Sequence, residues 1–278
     1  MNFLLALARD RAALAIEPGQ EYLLSCRLAG VANQHKLASV EALVARLRMG
    51  RADALAQDTV DALTTNETSF FRDIHPYDAL ATQILPDLMA RRRAARQLTI
   101  WCAACSSGQE PYSVAMTIRE RVPELLTWRL RIIATDVSQA MVDRTRAGVF
   151  TQAEVNRGLP ARMLTKYLSQ QGTEWQVRPE VRGMIEVQRT NLVEPQPMTG
   201  CDLVLLRNVL IYFDAAGKRR VLDRVTRALA PDGLLMVGVS ETLFDDRYDF
   251  RVVGRTYVYS PKGTAAAPAL RGASQEKP

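Results

Sequence analysis

TIWCAACSSGQEPYSVAM, residues 99–116, changes character twice along its length. It begins with the apolar residues of a buried strand, passes through a loop of small residues and ends with helical spacing. Pro111 stands in the first turn of that helix, where the missing N–H of proline costs no intrahelical hydrogen bond. The small residues from Ala103 to Gly108 let a ligand approach backbone N–H groups closely. The stretch therefore predicts a ligand-binding turn at the end of a sheet strand.

Short apolar runs alternate with helical stretches around this turn. The runs are LTIWC (98–102), LRIIATD (130–136), DLVLL (202–206) and GLLMVGV (233–239). The helical stretches are 111–121, 138–148 and 214–229, with Ser138 and Asp214 as predicted N-caps. This alternation is typical of an α/β protein with a wound parallel sheet. Residues 257–260 predict an additional edge strand.

Composition divides the chain further. The first part carries apolar side chains at helical spacing, and the last part is rich in Ala, Pro and Gly. The predicted organisation is a helical domain (1–63), a lid and connecting helix (64–97), a main domain (98–260) and a disordered tail (261–278).

One segment interrupts the alternation within the main domain. WQVRPEVRGMIEVQ, residues 175–188, combines β-forming residues with Pro179 and Gly183. This combination predicts a hairpin inserted between sheet elements. We therefore expect a β-subdomain at about residues 170–190.

The formal net charge of +6 indicates an acidic partner, which is a nucleic acid, an anionic lipid or an acidic protein surface. Arg46, Arg48 and Arg51 form a local basic cluster in the helical domain. The chain has no arginine–glycine tract, zinc-finger spacing or aromatic RNA-binding pattern, which argues against nucleic acid.

Cysteine usage and the first residues indicate the compartment. MNFLLALARDRAALAI, residues 1–16, is too short to span a bilayer, is interrupted by charges and lacks a signal cleavage site. The four cysteines are therefore expected to be reduced thiols of a cytoplasmic protein. His35 and His75 are the only histidines, and no cluster has metal-ligand spacing, so no metal is predicted.

The loop of residues 102–108 leaves three ligand classes open. Cys102 and Cys105 have the spacing of a thioredoxin-type redox pair, but neither stands at the helix start, where the helix dipole lowers a thiol pKa. Gly108 is the only glycine, so the GxGxxG pattern of dinucleotide enzymes is missing. An adenosyl ligand without a pyrophosphate remains the favoured class.

Two carboxylates next to the loop suit an adenosyl ligand. Asp136 ends the second strand, where a carboxylate can accept from ribose hydroxyls; alternatively, it caps the helix after Ser138. Glu110 stands at the loop-to-helix junction, where it either interacts with the helix dipole or pairs with the ammonium of a methionine moiety.

TTNETSFFRD, residues 64–73, places polar side chains next to Phe70 and Phe71. Such a mixture favours a lid over a ligand. The alternative is a helix cap formed by Asn66 or Thr68 over a hydrophobic pair.

Six blocks in one order make the resemblance specific. They are TTNETSFFRD, WCAACSSGQEPYSVAM, IIATDVS, TNL (190–192), LLRNVLIYFD (205–214) and LAPDGLLMVGVSE (229–241). The series resembles the CheR family of chemotaxis receptor methyltransferases from about residue 1 to 260. The resemblance implies a Rossmann-like S-adenosylmethionine-dependent methyltransferase sheet with a small N-terminal helical domain and an inserted β-subdomain. The implied activity is methylation of glutamate side chains of membrane receptors to γ-glutamyl methyl esters.

The resemblance also implies a set of site residues. Asn66, Thr68 and Arg72 would come from the lid, Glu110 would hold the methionine end and Asp136 the ribose. The adenine would lie between Asn191 and Leu192, and the fourth strand would supply Arg207 and Asn208.

The acceptor chemistry needs no general base, because a glutamate with a pKa near ~4.3 is already an anionic nucleophile at neutral pH. Catalysis then comes from alignment and water exclusion. Arg72 and Tyr212 are the candidates that orient the acceptor carboxylate. S-adenosylhomocysteine would be the product.

The chain departs from the family pattern at two positions, where Gln109 replaces a commonly acidic residue and Cys105 occupies the small-residue loop. The stretch from Tyr167 to Val187 is shorter than in members that dock on a receptor's C-terminal pentapeptide, which argues against such tethering.

The expected partners are cytoplasmic methylation helices of chemoreceptors, contacted through the basic cluster by a monomer recruited to the membrane. Two alternatives stay open: a non-catalytic module that senses the cofactor, and a redox protein using the two cysteines.

Overall fold

The computed structural model describes residues 2–15, 21–50, 53–243, 245 and 247–262. Its first part contains helices α1 (Asn2–Ala12), α2 (Glu21–Gln34), α3 (Val40–Arg48) and α4 (Asp53–Leu63). Their apolar positions form one buried cluster that includes Leu4, Leu28 and Leu43. Arg51 of the basic cluster lies outside the described residues.

The rest of the described chain alternates helices and strands. The helices are α5 (His75–Ala79), α6 (Leu85–Arg92), α7 (Gln109–Arg121), α8 (Gln139–Ala147), α9 (Gln152–Asn156), α10 (Ala161–Tyr167), α11 (Pro179–Arg182) and α12 (Ala215–Ala228). The strands are β1 (Gln97–Ala103), β2 (Arg129–Asp136), β3 (Val149–Thr151), β4 (Leu168–Gln171), β5 (Glu174–Val177), β6 (Ile185–Arg189), β7 (Cys201–Leu206), β8 (Leu229–Val237), β9 (Tyr248–Val253) and β10 (Thr256–Pro261). A π-helical turn, Leu80–Ile84, joins α5 to α6. Short 3₁₀ turns lie at Pro123–Thr127 and Leu210–Tyr212.

A seven-stranded sheet of the described residues has the order β6-β2-β1-β7-β8-β10-β9. Its first five strands are parallel, and β10 and β9 are antiparallel. Strand β1 is central, and its side chains alternate between two buried clusters. Ile100 and Cys102 face one cluster, whereas Trp101 and Ala103 face the other. The wound α/β sheet is therefore confirmed, and both of its faces are covered, as parallel sheets require.

The helix boundaries agree with the expected caps. The side chain of Ser138 accepts from Met141 N and begins α8, and Asp214 accepts from Gly217 N and begins α12. Strand β1 is tied to the helix before it, because Asp202 accepts from Thr99 N at 2.8 Å and from Arg92 Nε at 2.6 Å. Among the described residues, no helix combines the length and the hydropathy of a membrane-spanning segment.

The position of the β-subdomain differs from the sequence expectation. A second, three-stranded sheet has the order β3-β5-β4, so its hairpin lies over residues 168–177 rather than 175–188. Residues 185–189 instead pair in parallel with β2 as the edge of the main sheet. This edge strand is half-exposed, so its alternating side chains have the pattern of a hairpin strand.

The other end of the sheet also differs. The run at 257–260 was expected to form the edge, but β10 lies between β8 and β9. The edge strand is β9, whose Phe250 and Val252 are exposed. Pro261 ends β10, and the remainder of the predicted tail from residue 263 lies outside the described residues.

Candidate active site

One cleft lies at the carboxyl ends of β1, β2 and β7, with about 910 Å³ of empty space that includes its opening to solvent. In a parallel sheet this is the edge at which ligands bind. The structure brings every predicted site residue to its lining: Asn66, Thr68, Arg72, Glu110, Asp136, Asn191, Leu192, Arg207, Asn208 and Tyr212.

The small-residue loop forms the floor of the cleft. Ala104, Ser106 and Gly108 all have positive φ, which bends the chain sharply between β1 and α7. A Cβ on Gly108 would lie 2.9 Å from Cγ2 of Thr145, so glycine is needed for both its conformation and the close packing of α8. The hydroxyl of Thr145 also donates to the Ser106 carbonyl at 2.9 Å.

Asp136 anchors the loop to the segment before α8, and the cap of that helix is Ser138 rather than Asp136. Its two carboxylate oxygens accept from Ser106 N at 2.8 Å and from Ser138 N at 3.0 Å, which fixes the loop against the start of α8. Burial raises the pKa of Asp136, and these backbone N–H groups oppose the rise. The carboxylate also faces the cleft, and each oxygen keeps acceptor capacity for a ligand hydroxyl.

Glu110 pairs with Arg207 inside the cleft. Nη1 of Arg207 donates to Glu110 Oε2 at 3.0 Å, and Nη2 donates to the Arg72 carbonyl at 2.9 Å and to Asp73 Oδ2 at 3.0 Å. The guanidinium lies 5.7 Å from the ring centroid of Tyr77. Burial raises the pKa of Glu110, while Arg207 acts in the opposite direction.

The lid has no regular secondary structure between α4 and α5. Its two phenylalanines anchor it: Phe70 packs edge-on against Phe150 at 4.9 Å, and Phe71 packs edge-on against Tyr77 at 5.1 Å. The backbone N–H of Phe71 donates to Ser113 Oγ at 2.9 Å. The Phe71 φ of 48° is rare for a bulky residue, and this strain is sustained by the surrounding contacts. These anchors leave Asn66, Thr68 and Arg72 on the cleft side.

The turn after β7 carries Asn208 and Tyr212, and Glu241 holds it. The buried Glu241 carboxylate accepts from the backbone N–H groups of Asn208 at 2.6 Å, Leu210 at 2.8 Å and Gly238 at 2.8 Å. Asn208 has a φ of 57°, which these bonds help to stabilise. The turn is therefore fixed by a residue from a distant part of the chain.

Comparison with known proteins gives the family. Residues 66–259 match the family model described as CheR methyltransferase, SAM binding domain. The chain belongs to the CheR methyltransferase family. It is therefore an S-adenosylmethionine-dependent methyltransferase.

Relatives of this CheR chain are similar over most of their length. Chemotaxis protein methyltransferase 1 of Pseudomonas aeruginosa is 37% identical over 90% of this chain and 93% of its own. Chemotaxis protein methyltransferase Cher2 of Pseudomonas putida is 36% identical over 87% and 90%, respectively. The chemotaxis protein methyltransferase of Vibrio parahaemolyticus is 38% identical over 84% and 86%.

The CheR cleft has donor and acceptor groups that fit S-adenosylmethionine. Glu110 and Asp136 are buried carboxylates on separate elements, suited to an ammonium and to ribose hydroxyls. Nε of Arg207 is buried without a partner among the described residues. The apolar sides of Leu14, Leu192 and Phe213 supply surface for a flat base.

Sequence reasoning missed part of this CheR site, the end of α1. Ala12 and Leu14 line the cleft, Nδ2 of Asn191 donates to the Arg11 carbonyl at 2.6 Å, and Ala15 N donates to the Tyr212 carbonyl at 2.8 Å. These contacts join residues that are far apart in the sequence, so no local sequence pattern predicts them. Tyr77, Asp73 and Glu241 were missed for the same reason, although Asp73 ends the first matching block and Glu241 the last.

Cys102 and Cys105 are buried free thiols in the CheR cleft region. Burial raises the pKa of each well above the ordinary value, which disfavours the thiolate that redox chemistry needs. The redox alternative therefore has no support in the structure.

Proposed function

We propose that the chain transfers the methyl group of S-adenosylmethionine to glutamate side chains of methyl-accepting chemoreceptors, forming γ-glutamyl methyl esters. The observation that carries this proposal is the common cleft of two groups of residues. Glu110 and Asp136 suit the cofactor, and Arg72 and Tyr212 suit an acceptor carboxylate. The similarity to chemotaxis protein methyltransferases of Pseudomonas aeruginosa and Vibrio parahaemolyticus supports the same context.

The cofactor-binding roles are assigned by chemistry. We assign the ribose to Asp136, because its oxygens already face the cleft and keep acceptor capacity. We assign the methionine ammonium to Glu110, whose other neighbour is the cation Arg207. Asn66 and Thr68 supply polar lid groups, Asn191 and Leu192 flank the adenine, and Asn208 borders the site beside Arg207.

The bound cofactor supplies an electrophilic methyl group on a sulfonium. The acceptor carboxylate oxygen forms the new C–O bond with its own electron pair as the C–S bond breaks, so no residue has to remove a proton. The residues of this chain align the two groups in line and exclude water from them. The absence of a histidine from the cleft lining, among the described residues, is compatible with this chemistry.

Arg72 and Tyr212 are the proposed orienting residues. Nη1 of Arg72 donates to the Glu67 carbonyl at 3.1 Å, which leaves its other guanidinium N–H groups for a carboxylate. The hydroxyl of Tyr212 makes no hydrogen bond to any described residue. Both side chains line the cleft and are partly exposed, so an acceptor from outside can reach them.

The partner is proposed to be a cytoplasmic methylation helix of a receptor. Arg46 and Arg48 are exposed in the last turn of α3, and Arg51 follows them in the sequence. Their charge is complementary to an acidic helix. The proposal also includes that this chain acts as a monomer and is recruited to receptors at the membrane.

Two measurements test the proposal. Calorimetric titration with S-adenosylhomocysteine should give stoichiometric binding. Incubation with radiolabelled S-adenosylmethionine and membranes that contain chemoreceptors should then give a base-labile methyl label on the receptor band. Binding without transfer would favour a non-catalytic sensor, and transfer that resists base would exclude a carboxylate acceptor.

A further inference from the structure

A second groove lies on the outer side of the turn that carries Tyr212. It is open to solvent and lies between α12 and the segment after β8. From α12 it is lined by Ala215, Lys218, Arg219 and Leu222, which have the i, i+3, i+4, i+7 spacing of one helix face. Ser240, Thr242 and Leu243 line the opposite side.

The groove and the active-site cleft share one wall. In the turn from Asn208 to Phe213, Asn208, Val209, Tyr212 and Phe213 line the cleft, whereas Leu210 and Ile211 line the groove. Ile211, next to Tyr212, is 52% exposed. A partner seated in the groove therefore lies one residue away from the proposed acceptor site.

The groove combines an apolar floor with positive charge. Ile211 supplies exposed apolar surface, whereas Leu210 and Leu222 line the groove but are largely buried. Lys218 and Arg219 are exposed, and neither forms an ion pair with a described residue.

The two acids of the lining do not offset this charge. Glu241 is buried and its carboxylate is occupied by three backbone N–H groups. Asp245 pairs with Arg247, whose Nε lies 2.8 Å from Asp245 Oδ1. Among the described residues, the groove thus presents two cations without an ion-pair partner beside the exposed side chain of Ile211.

We propose that this groove binds the receptor helix that carries the acceptor glutamate, an amphipathic helix with carboxylates beside its apolar face. An amphipathic helix laid in a groove contacts it through side chains one turn apart, so its charged and apolar residues can contact the groove together. Carboxylates of that helix pair with Lys218 and Arg219 while its apolar side chains contact Ile211. The inference rests on the proposed function and adds a docking surface distinct from the basic cluster on α3.

The test compares two charge-reversal pairs on the same helix. The variant Lys218→Glu/Arg219→Glu reverses the groove cations, and Arg220→Glu/Arg227→Glu makes the same change in net charge at exposed positions that do not line the groove. Initial rates of methyl transfer are measured against the concentration of chemoreceptor membranes, at low and high salt. S-adenosylhomocysteine affinity, measured calorimetrically, reports whether each variant is folded.

The groove variant should lose on the order of tenfold in kcat/KM through a raised KM, with unchanged S-adenosylhomocysteine affinity, and the control pair much less. The difference in kcat/KM between the two variants should become smaller at high salt, because salt screens the charges. Equal losses in both variants would overturn the groove as a docking site while leaving the methyltransfer proposal intact. Wild-type protein that gives no base-labile receptor label would overturn the proposed function, and the inference with it.

Discussion

Arg207 donates to Glu110 at 3.0 Å at the point where the lid meets the start of α7. Since the same guanidinium also binds the Arg72 carbonyl and Asp73, it links the proposed ammonium site to the lid. Tyr77 packs against the guanidinium and against Phe71, which completes a buried unit. The position of the lid and the charge of Glu110 are therefore coupled through one arginine.

Cofactor affinity should depend on pH through Glu110. Burial raises the pKa of Glu110 above its ordinary value, so the proton is retained to higher pH than in an exposed glutamate. An ammonium needs the ionised carboxylate, so S-adenosylhomocysteine affinity should fall as pH drops through this raised pKa. The free energy of unfolding should change in the opposite direction. The folded protein binds the Glu110 proton more tightly than the unfolded chain, so this stabilisation is present at low pH and is lost as pH rises through the raised pKa. Calorimetric titration at a series of pH values should show the fall in S-adenosylhomocysteine affinity. In the Glu110→Gln variant, the part of this pH dependence that comes from Glu110 should be absent.

Asp136→Ala should weaken S-adenosylhomocysteine binding by about 100-fold, since two hydrogen bonds to a charged acceptor are worth about 1.5 kcal/mol or more each. The matched variant is Asp136→Asn, which keeps one acceptor oxygen and should lose less. Ser106 N and Ser138 N lose an acceptor in the alanine variant, so its thermal unfolding is measured in parallel. Unchanged affinity in a folded Ala variant would refute the ribose assignment.

Glu241→Gln should lower turnover more than cofactor affinity. Glutamine has one acceptor oxygen for the three N–H groups that Glu241 binds, so the turn with Asn208 and Tyr212 is released. An unpaired buried N–H costs about 1–3 kcal/mol, which corresponds to a lower Tm by about 2–4 °C per kcal/mol. A positioning role predicts a lower kcat together with an S-adenosylhomocysteine affinity that stays within about threefold of the wild-type value. Loss of Tm with kcat retained at a permissive temperature would instead assign Glu241 to stability alone.

Much of the architecture could be predicted because local patterns determine it. The turn from Trp101 to Pro111 carries its small residues and its proline in a continuous stretch, and Ser138 and Asp214 cap helices a few residues away. Strand β6 could not be assigned this way, since a half-exposed edge strand and a hairpin strand have the same alternation. Pairing partners are set by tertiary contacts rather than by the strand's own sequence.

The candidate site shows the same division. Asp136 and Glu110 could be predicted as candidate site residues from the sequence, because one stands at the end of a strand and the other at the start of a helix. The partners of Arg207 come from residues 72–77 and 110, and Glu241 reaches residues 208 and 210, so these contacts exist only in the folded chain. A sequence pattern identifies such side chains but not the groups that they bind.

The four cysteines should differ in reactivity in the native protein. Cys26 is exposed, whereas Cys102, Cys105 and Cys201 are buried, and burial raises the pKa of Cys201 to about 12. Iodoacetamide at pH 8 should therefore label Cys26 alone, as read by mass spectrometry, and all four after denaturation. Labelled protein should keep its methyl transfer. Rapid native labelling of Cys102 or Cys105 with loss of transfer would restore the redox alternative.

Charge reversal of Arg46, Arg48 and Arg51 should slow methylation of receptor membranes without changing S-adenosylhomocysteine affinity. Arg46 and Arg48 lie on α3 and do not line the active-site cleft, so we expect the cluster to act on encounter with an acidic surface. Arg48 also lies 5.3 Å from the ring centroid of Phe3, so replacing it removes a packing contact. The neutral triple glutamine variant separates these effects: it removes the same cation–π contact but carries half the charge change. An encounter role requires the rate to fall from wild type to glutamine to glutamate, with the differences reduced at high salt. If the glutamine and glutamate variants are equally slow at all salt concentrations, packing rather than charge explains the loss.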